Sequence, residues 1–256
     1  MRLISFLNEG RGWEKKLTLD ELKQGLAQNC SEFLKITNNT FPLYRGDKNH
    51  IKFREIETNK NRKPRDSSKE FHDLLNNGFF KIFGKKLRSI TVFATSDSHV
   101  LPTYGYPYYF VPFNNFTFYW SENIGDISIP NLDSSLIHSV LDKNDFYILI
   151  GYILLLWNSI ETRIIKDNDI IQIIKKKIDI MQPYFTFDLN TISKLNIENF
   201  IIESKIYKEI AISNFIKEFY TNKNLIQAIK SGNEIMFDCD KYYLISKSVD
   251  INEIIF

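Results

Sequence analysis

The sequence predicts an α+β fold, with helices concentrated early and in the middle of the chain. Three observations carry that reading. Capping boxes at Thr18–Glu21 and Ser67–Glu70 each open a run of apolar residues at helical spacing. From Ser89 the pattern changes to β-branched and aromatic runs. The chain then closes on two short apolar runs around Asp238–Lys241. With 256 residues, 43% hydrophobic and 14% aromatic, the chain can fill a core, which excludes wholesale disorder.

The elements follow in order. Thr18 caps a helix and Glu21 reaches back to it; Leu19, Leu22, Leu26, Cys30, Phe33 and Leu34 continue the apolar face to about residue 36. Asn38-Asn39 ends that helix, and Phe41 to Gly46 reads as a short strand running into a glycine turn. Asp47 to Ser68 is polar, charged and without periodicity, which predicts an exposed loop. Ser67 opens a second helix through Phe71, Leu74, Leu75 and Phe79, and Asn76-Asn77-Gly78 interrupts it near its end.

Ile90 to Thr95 predicts a strand, followed by a polar turn at Ser96-Asp97-Ser98. Tyr106–Pro112 and Asn115–Trp120 are aromatic strands split by Phe113-Asn114. Residues 134–182 read as two or three helices, although Ile170–Ile178 also fits a strand. Further helices are expected over Ser204–Phe219 and Leu225–Lys230, the latter stopped by Ser231-Gly232. Glu234–Phe237 and Tyr242–Ile245 complete the chain as a hairpin. The whole reads as one domain, 1–256.

Composition narrows the function classes. Lys+Arg 33 against Asp+Glu 31 leaves +2, so any nucleic-acid contact must come from a local patch. The two cysteines, Cys30 and Cys239, suit a reducing cytoplasm, leave room for a single disulfide and lack zinc-site spacing. Met1–Leu7 is too short an apolar run for a signal peptide, and Phe146–Trp157 is too short to span a membrane. His50, His72, His99 and His138 are scattered, so no metal site is expected. There is no glycine-rich phosphate loop and no nucleophile elbow.

Three strand ends carry the residues suited to chemistry. Leu43-Tyr44-Arg45-Gly46 places an arginine and a glycine where a phosphate could approach the backbone. Phe93 to Ser98 ends a strand in consecutive hydroxyls, Thr95 and Ser96 first among them. Asn233-Glu234-Ile235 sets a carboxylate at the start of an apolar strand. A separate cluster, Asn61-Arg62-Lys63-Pro64-Arg65-Asp66, gathers three cations in four residues.

Arginine on an early strand, Ser/Thr on a middle one and glutamate at a late one resembles the arginine–serine–glutamate class of mono-ADP-ribosyltransferases. The form is similar to phage-encoded members in which a tyrosine-glycine pair follows the serine strand, here Tyr104-Gly105. The resemblance covers residues 41–125 and 225–246 and thins over 126–224. It implies a split, mixed β-sheet core with NAD, the substrate, held between two small sheets. Residues 134–224 then stand as a helical insertion. In that class the residue matched by Arg45 binds the NAD phosphates, and Thr95 or Ser96 supports the catalytic glutamate and the ribose. Glu234 matches that glutamate, which favours loss of nicotinamide.

Gly46, Tyr104, Tyr106 and Arg65 are the other candidate NAD contacts, and the Asn61–Asp66 cluster as a whole suits either the NAD phosphates or a polyanionic acceptor. The resemblance implies a macromolecular acceptor, protein or nucleic acid, an antitoxin or inhibitor as a further partner, and action in a host cytoplasm. Gly232 stands where arginine-modifying members carry a second glutamate, which argues against an arginine acceptor and favours another protein side chain, a nucleic acid or plain NAD hydrolysis. Two readings compete. One is a nucleic-acid-binding or nucleolytic protein using the Arg62–Arg65 loop with His50 or His72. The other is a non-catalytic virion or interaction protein that keeps the fold alone.

Overall fold

The structure, a computed structural model, describes residues 13–63, 69–99, 105–125, 209–210 and 212–254. Along the chain the elements are β1 (Glu14–Lys16), α1 (Leu19–Asn29), α2 (Ser31–Ile36), β2 (Tyr44–Asp47), β3 (Phe53–Glu57), α3 (Lys69–Phe83) and α4 (Leu87–Ile90). Then come β4 (Val92–Ala94), β5 (Tyr106–Pro112), β6 (Thr117–Trp120), α5 (Leu225–Ser231), β7 (Ile235–Asp238) and β8 (Lys241–Ser246), with a 3₁₀ turn over Ile251–Glu253. Contacts divide the chain into a first unit, Met1–Lys63, Lys86–Asp126 and Phe219–Phe256, and a second, Pro64–Lys85 and Ile127–Glu218.

The first unit holds two sheets, ordered β1-β3-β8-β5-β2 and β4-β7-β6. Among the described residues every pairing of these strands is antiparallel, where the resemblance implies a mixed sheet. Phe110 of β5 meets Phe237 of β7 at 5.1 Å between ring centroids, so the two sheets share an aromatic core. The opposite face of the larger sheet is covered by α1. There Gly25 lies against Tyr243, whose hydroxyl accepts from Asn29 Nδ2 at 3.2 Å. A Cβ on Gly25 would come 2.2 Å from that hydroxyl. Gly25→Ala is therefore expected to destabilise the protein by about 1–3 kcal/mol, outweighing the helix preference of alanine. Chemical denaturation checks this, and an unchanged or higher midpoint would contradict the packing.

The helix expected up to residue 36 is present but broken at Cys30 into α1 and α2. Its start is as the capping box requires: Glu21 N donates to Thr18 Oγ1 at 3.2 Å, and Thr18 N to Glu21 Oε2 at 2.8 Å. Asn38 and Asn39 end it with φ of 51° and 57°, the left-handed region that asparagine tolerates. Cys30 and Cys239 are both free and buried, and burial pushes the Cys239 thiol up to about 12.

Three expectations need correction. Within Asp47–Ser68, read as a loop, Phe53–Glu57 is an interior strand of the larger sheet. Its buried positions are Arg54 and Ile56, and a charge at a core position hid the alternation. The closing hairpin is absent: β7 pairs with β4 and β6, and β8 with β3 and β5. Each is an interior strand, buried on both faces, so the short link between them crosses from one sheet to the other.

The third correction lies in the second unit, where Asn76-Asn77-Gly78 does not interrupt α3. Gly78 is inside the helix because a Cβ there would meet Ile216 at 2.7 Å and Ile212 at 3.2 Å. Phe71, Leu75 and Phe79 are buried, as their spacing predicts. Residues 212–219 are helical, in line with part of the helix expected over Ser204–Phe219. The Ser67 cap, the helices expected over 134–182, the ambiguous run Ile170–Ile178 and the apolar run Phe146–Trp157 lie outside the described residues. Among the described residues no helix is long and apolar enough to cross a membrane.

Candidate functional site

Three strand ends, far apart in sequence, meet at one corner of the first unit. β2 is the edge of the larger sheet and β4 the edge of the smaller one. An antiparallel bridge joins them: Tyr44 N donates to the Thr95 carbonyl at 2.7 Å, and Thr95 N to the Tyr44 carbonyl at 3.0 Å. On its other side β4 pairs with β7, Ala94 opposite Ile235. Arg45 is the residue after Tyr44, and Glu234 the residue before Ile235. All three candidate positions, Arg45, Thr95 and Glu234, thus sit within one residue of these cross-strand contacts.

The geometry of that edge is set by alternation. Carbonyls of alternate residues leave a strand on the same side, so those of Thr91, Phe93 and Thr95 face away from β7. An unpaired edge of this kind needs donors. Arg62 Nη1 donates to Thr91 O at 3.3 Å, Arg45 Nη1 to Phe93 O at 2.7 Å, and Tyr44 N takes Thr95 O. Two guanidinium groups and one backbone amide therefore close the edge in place of a further strand.

Phe93 alternates away from the buried Val92 and Ala94. Arg62 Cζ lies 4.3 Å from its ring centroid, and Arg88 Cζ 5.2 Å. The loop bearing Arg62 is tied down by Arg62 N donating to Ser89 O at 2.9 Å. Burial pushes the Arg62 guanidinium down to about 10, and the charges of Arg45 and Arg88 push the same way while Glu234 opposes them. Arg45 also acts on the buried Tyr242 hydroxyl, which burial raises.

The hydroxyls act on the segment that carries Glu234. Thr95 Oγ1 donates to Gly232 O at 2.7 Å and accepts from Asp97 N at 3.0 Å. Ser96 Oγ donates to Ile229 O, a last-turn carbonyl of α5. Gly232 ends α5 with φ of 77°, where glycine is strongly favoured. Beyond it, Asn233 Nδ2 donates to Ser121 O and Glu122 O at 2.9 Å each, and Glu234 N to Gly125 O at 2.9 Å. Thr95 and Ser96 therefore tie the segment that precedes Glu234 to the end of β4. Thr95→Val, which keeps the shape and removes the donor, is expected to cost about 1–2 kcal/mol by leaving the Gly232 carbonyl without it. Unfolding at equilibrium tests this, and a neutral result would remove Thr95 from that role.

The other candidates divide. Gly46 is not a turn residue; it sits inside β2 opposite Pro107. The close approach falls instead at Gly105, with φ of 125°, where a Cβ would lie 2.6 Å from Asp47 O. Tyr106 is opposite Asp47 at the same end of β2, 51% exposed, with its ring 4.0 Å from that of His50. Tyr104 and Arg65 lie outside the described residues. His72 is buried in α3 of the second unit. Among the described residues no group of three or more His, Cys, Asp and Glu could hold a metal ion. Arg88 was missed in sequence; the available signal was Phe93, an aromatic at the outward position of a strand close to basic residues.

Compared with known proteins, the chain matches no family model, no curated protein and no solved structure.

Proposed function

We propose that this chain is an NAD-dependent mono-ADP-ribosyltransferase of the toxin or phage type, which modifies a host macromolecule and releases nicotinamide. The observation that supports it is the meeting of Arg45, Thr95 and Glu234 at the β2–β4–β7 corner. In this reading NAD is the substrate. The bond from ribose C1′ to nicotinamide breaks, nicotinamide leaves with the electron pair, and positive charge develops on the sugar. Glu234 holds the ribose 2′-hydroxyl and stabilises that charge. Arg45 holds the diphosphate and orients the sugar. The acceptor then forms the new bond at C1′ and loses a proton.

The acceptor is a group other than an arginine side chain. A second glutamate at position 232 would have to adopt the left-handed conformation in which Gly232 ends α5. Tyr106, exposed beside His50, is placed to stack on a ring of the dinucleotide. The test follows nicotinamide release from NAD by the wild type, Arg45→Ala and Glu234→Ala. Turnover equal in all three, in correctly folded proteins, would rule the assignment out.

A further inference from the structure

We propose that Arg62 and Arg88 complete, with Arg45, a diphosphate-binding edge along β4, and that this edge holds the diphosphate of the dinucleotide. The ligand's identity rests on the NAD reading above; the edge itself is a property of the described side chains. Neither Arg62 nor Arg88 belongs to the three strand-end motifs.

Three arginines converge on one strand edge and one ring. Arg45 and Arg62 each use Nη1 on a β4-edge carbonyl, and Arg62 and Arg88 both stack on Phe93. A guanidinium carries five donors in a planar fork, so one bond to a carbonyl leaves most of its binding capacity. Arg88 Nε is buried without a hydrogen-bond partner, a donor whose acceptor the described side chains do not supply. Arg45, Arg62, Arg88, Phe93 and Glu234 are all only partly buried, so a solute can reach them.

A purely structural role explains this poorly. One guanidinium over Phe93 would cover the ring; a second adds repulsion between like charges. Arg62 is pushed down to about 10 in the folded chain, so its protonated form is less favourable there than in the unfolded chain. That penalty is present at every pH below about 10, and an anion seated between the arginines offsets the part of it that the charges of Arg45 and Arg88 contribute. Planar guanidinium groups suit the paired oxygens of a diphosphate, which accept bidentate bonds.

The test uses inorganic diphosphate as the probe, with the full chain, by titration calorimetry. Wild type is expected to bind it, and Arg62→Gln and Arg88→Gln each to weaken binding by about tenfold or more. Lys81→Gln, an equal change of charge at an exposed residue of the second unit, is expected to bind as wild type does. Absence of binding by wild type, or equal binding by the Arg62 and Arg88 variants, overturns the proposal. Should a variant not fold, wild type alone serves: diphosphate is expected to protect Arg62 and Arg88 from an arginine-directed dicarbonyl reagent, read by mass spectrometry. Protection by a single-stranded oligonucleotide but not by diphosphate overturns it in favour of nucleic acid. Diphosphate binding without nicotinamide release keeps the edge and removes the NAD reading. Nicotinamide release that Arg62→Gln and Arg88→Gln leave untouched overturns the edge alone.

Discussion

Under the proposed transferase reaction, Glu234→Gln is expected to lower nicotinamide release by on the order of 10²–10³-fold while leaving the fold intact, because it removes the charge that would answer the developing cation. The substitution keeps the side chain's length and shape. The main chain at this position is held independently, through Glu234 N to Gly125 O and through Asn233 Nδ2 to Ser121 O and Glu122 O. Loss of rate should therefore appear without a matching loss of stability. The loss should also fall on kcat more than on KM, since in the proposed reaction the carboxylate acts mainly on charge that exists in the transition state. A Glu234→Gln protein with wild-type turnover would show that the carboxylate is ornamental to the reaction.

Arg54→Ala is expected to be the most damaging single change to stability, about 3–5 kcal/mol, which approaches the whole stability of an ordinary domain. Arg54 is 0% exposed on β3, an interior strand of the larger sheet. It pairs with Asp47 at 3.2 Å and Glu14 at 3.5 Å, and its guanidinium lies 4.9 Å from the Tyr108 ring centroid. Its truncation leaves a cavity and takes a buried countercharge from two carboxylates. Asp47 ends β2, the strand that carries Arg45, so the Arg54–Asp47 pair also anchors that end of the strand. Arg54→Met, which restores much of the volume but not the charge, should recover only part of the loss. Equilibrium denaturation of both variants tests this. A large loss in Arg54→Ala that Arg54→Met recovers in full would mean that packing rather than charge holds the cluster, and small effects of both would contradict the prediction.

Local signals in the sequence were legible where short-range chemistry decides. Thr18 and Glu21 cap a helix with their own side chains, Asn38 and Asn39 tolerate the left-handed turn, and Ser231-Gly232 stops α5. The aromatic runs of β5 and β6 were likewise readable, since each is a near-continuous apolar strand. What failed depended on partners distant in sequence. Arg54 broke the alternation of β3 because its counterions come from β1 and β2. Gly78 reads as a breaker until Ile212 and Ile216 are packed against it. β7 and β8 read as a hairpin because nothing local reveals that each pairs inside a different sheet.

The site divides in the same way. Residue types and order single out Arg45, Thr95, Ser96 and Glu234, but the Tyr44–Thr95 bridge that joins their strands is a contact between two sheets. Arg62 stood in a basic run that reads as a solvated loop; its stacking on Phe93 and its bond to Thr91 O appear only once β4 has an open edge. Arg88 carried no periodic signal of its own.

The measurement that bears most directly on the central proposal is transfer of label from NAD, carrying it in the adenylate portion, to macromolecules in a cell lysate by the purified chain. The expected result is covalent label on protein or nucleic acid, accompanied by nicotinamide and abolished by Glu234→Gln. Protease and nuclease treatment of the product then identifies the acceptor class. No transfer and no nicotinamide release, from a folded wild-type protein, would contradict the proposal and leave the β2–β4–β7 corner with a structural role.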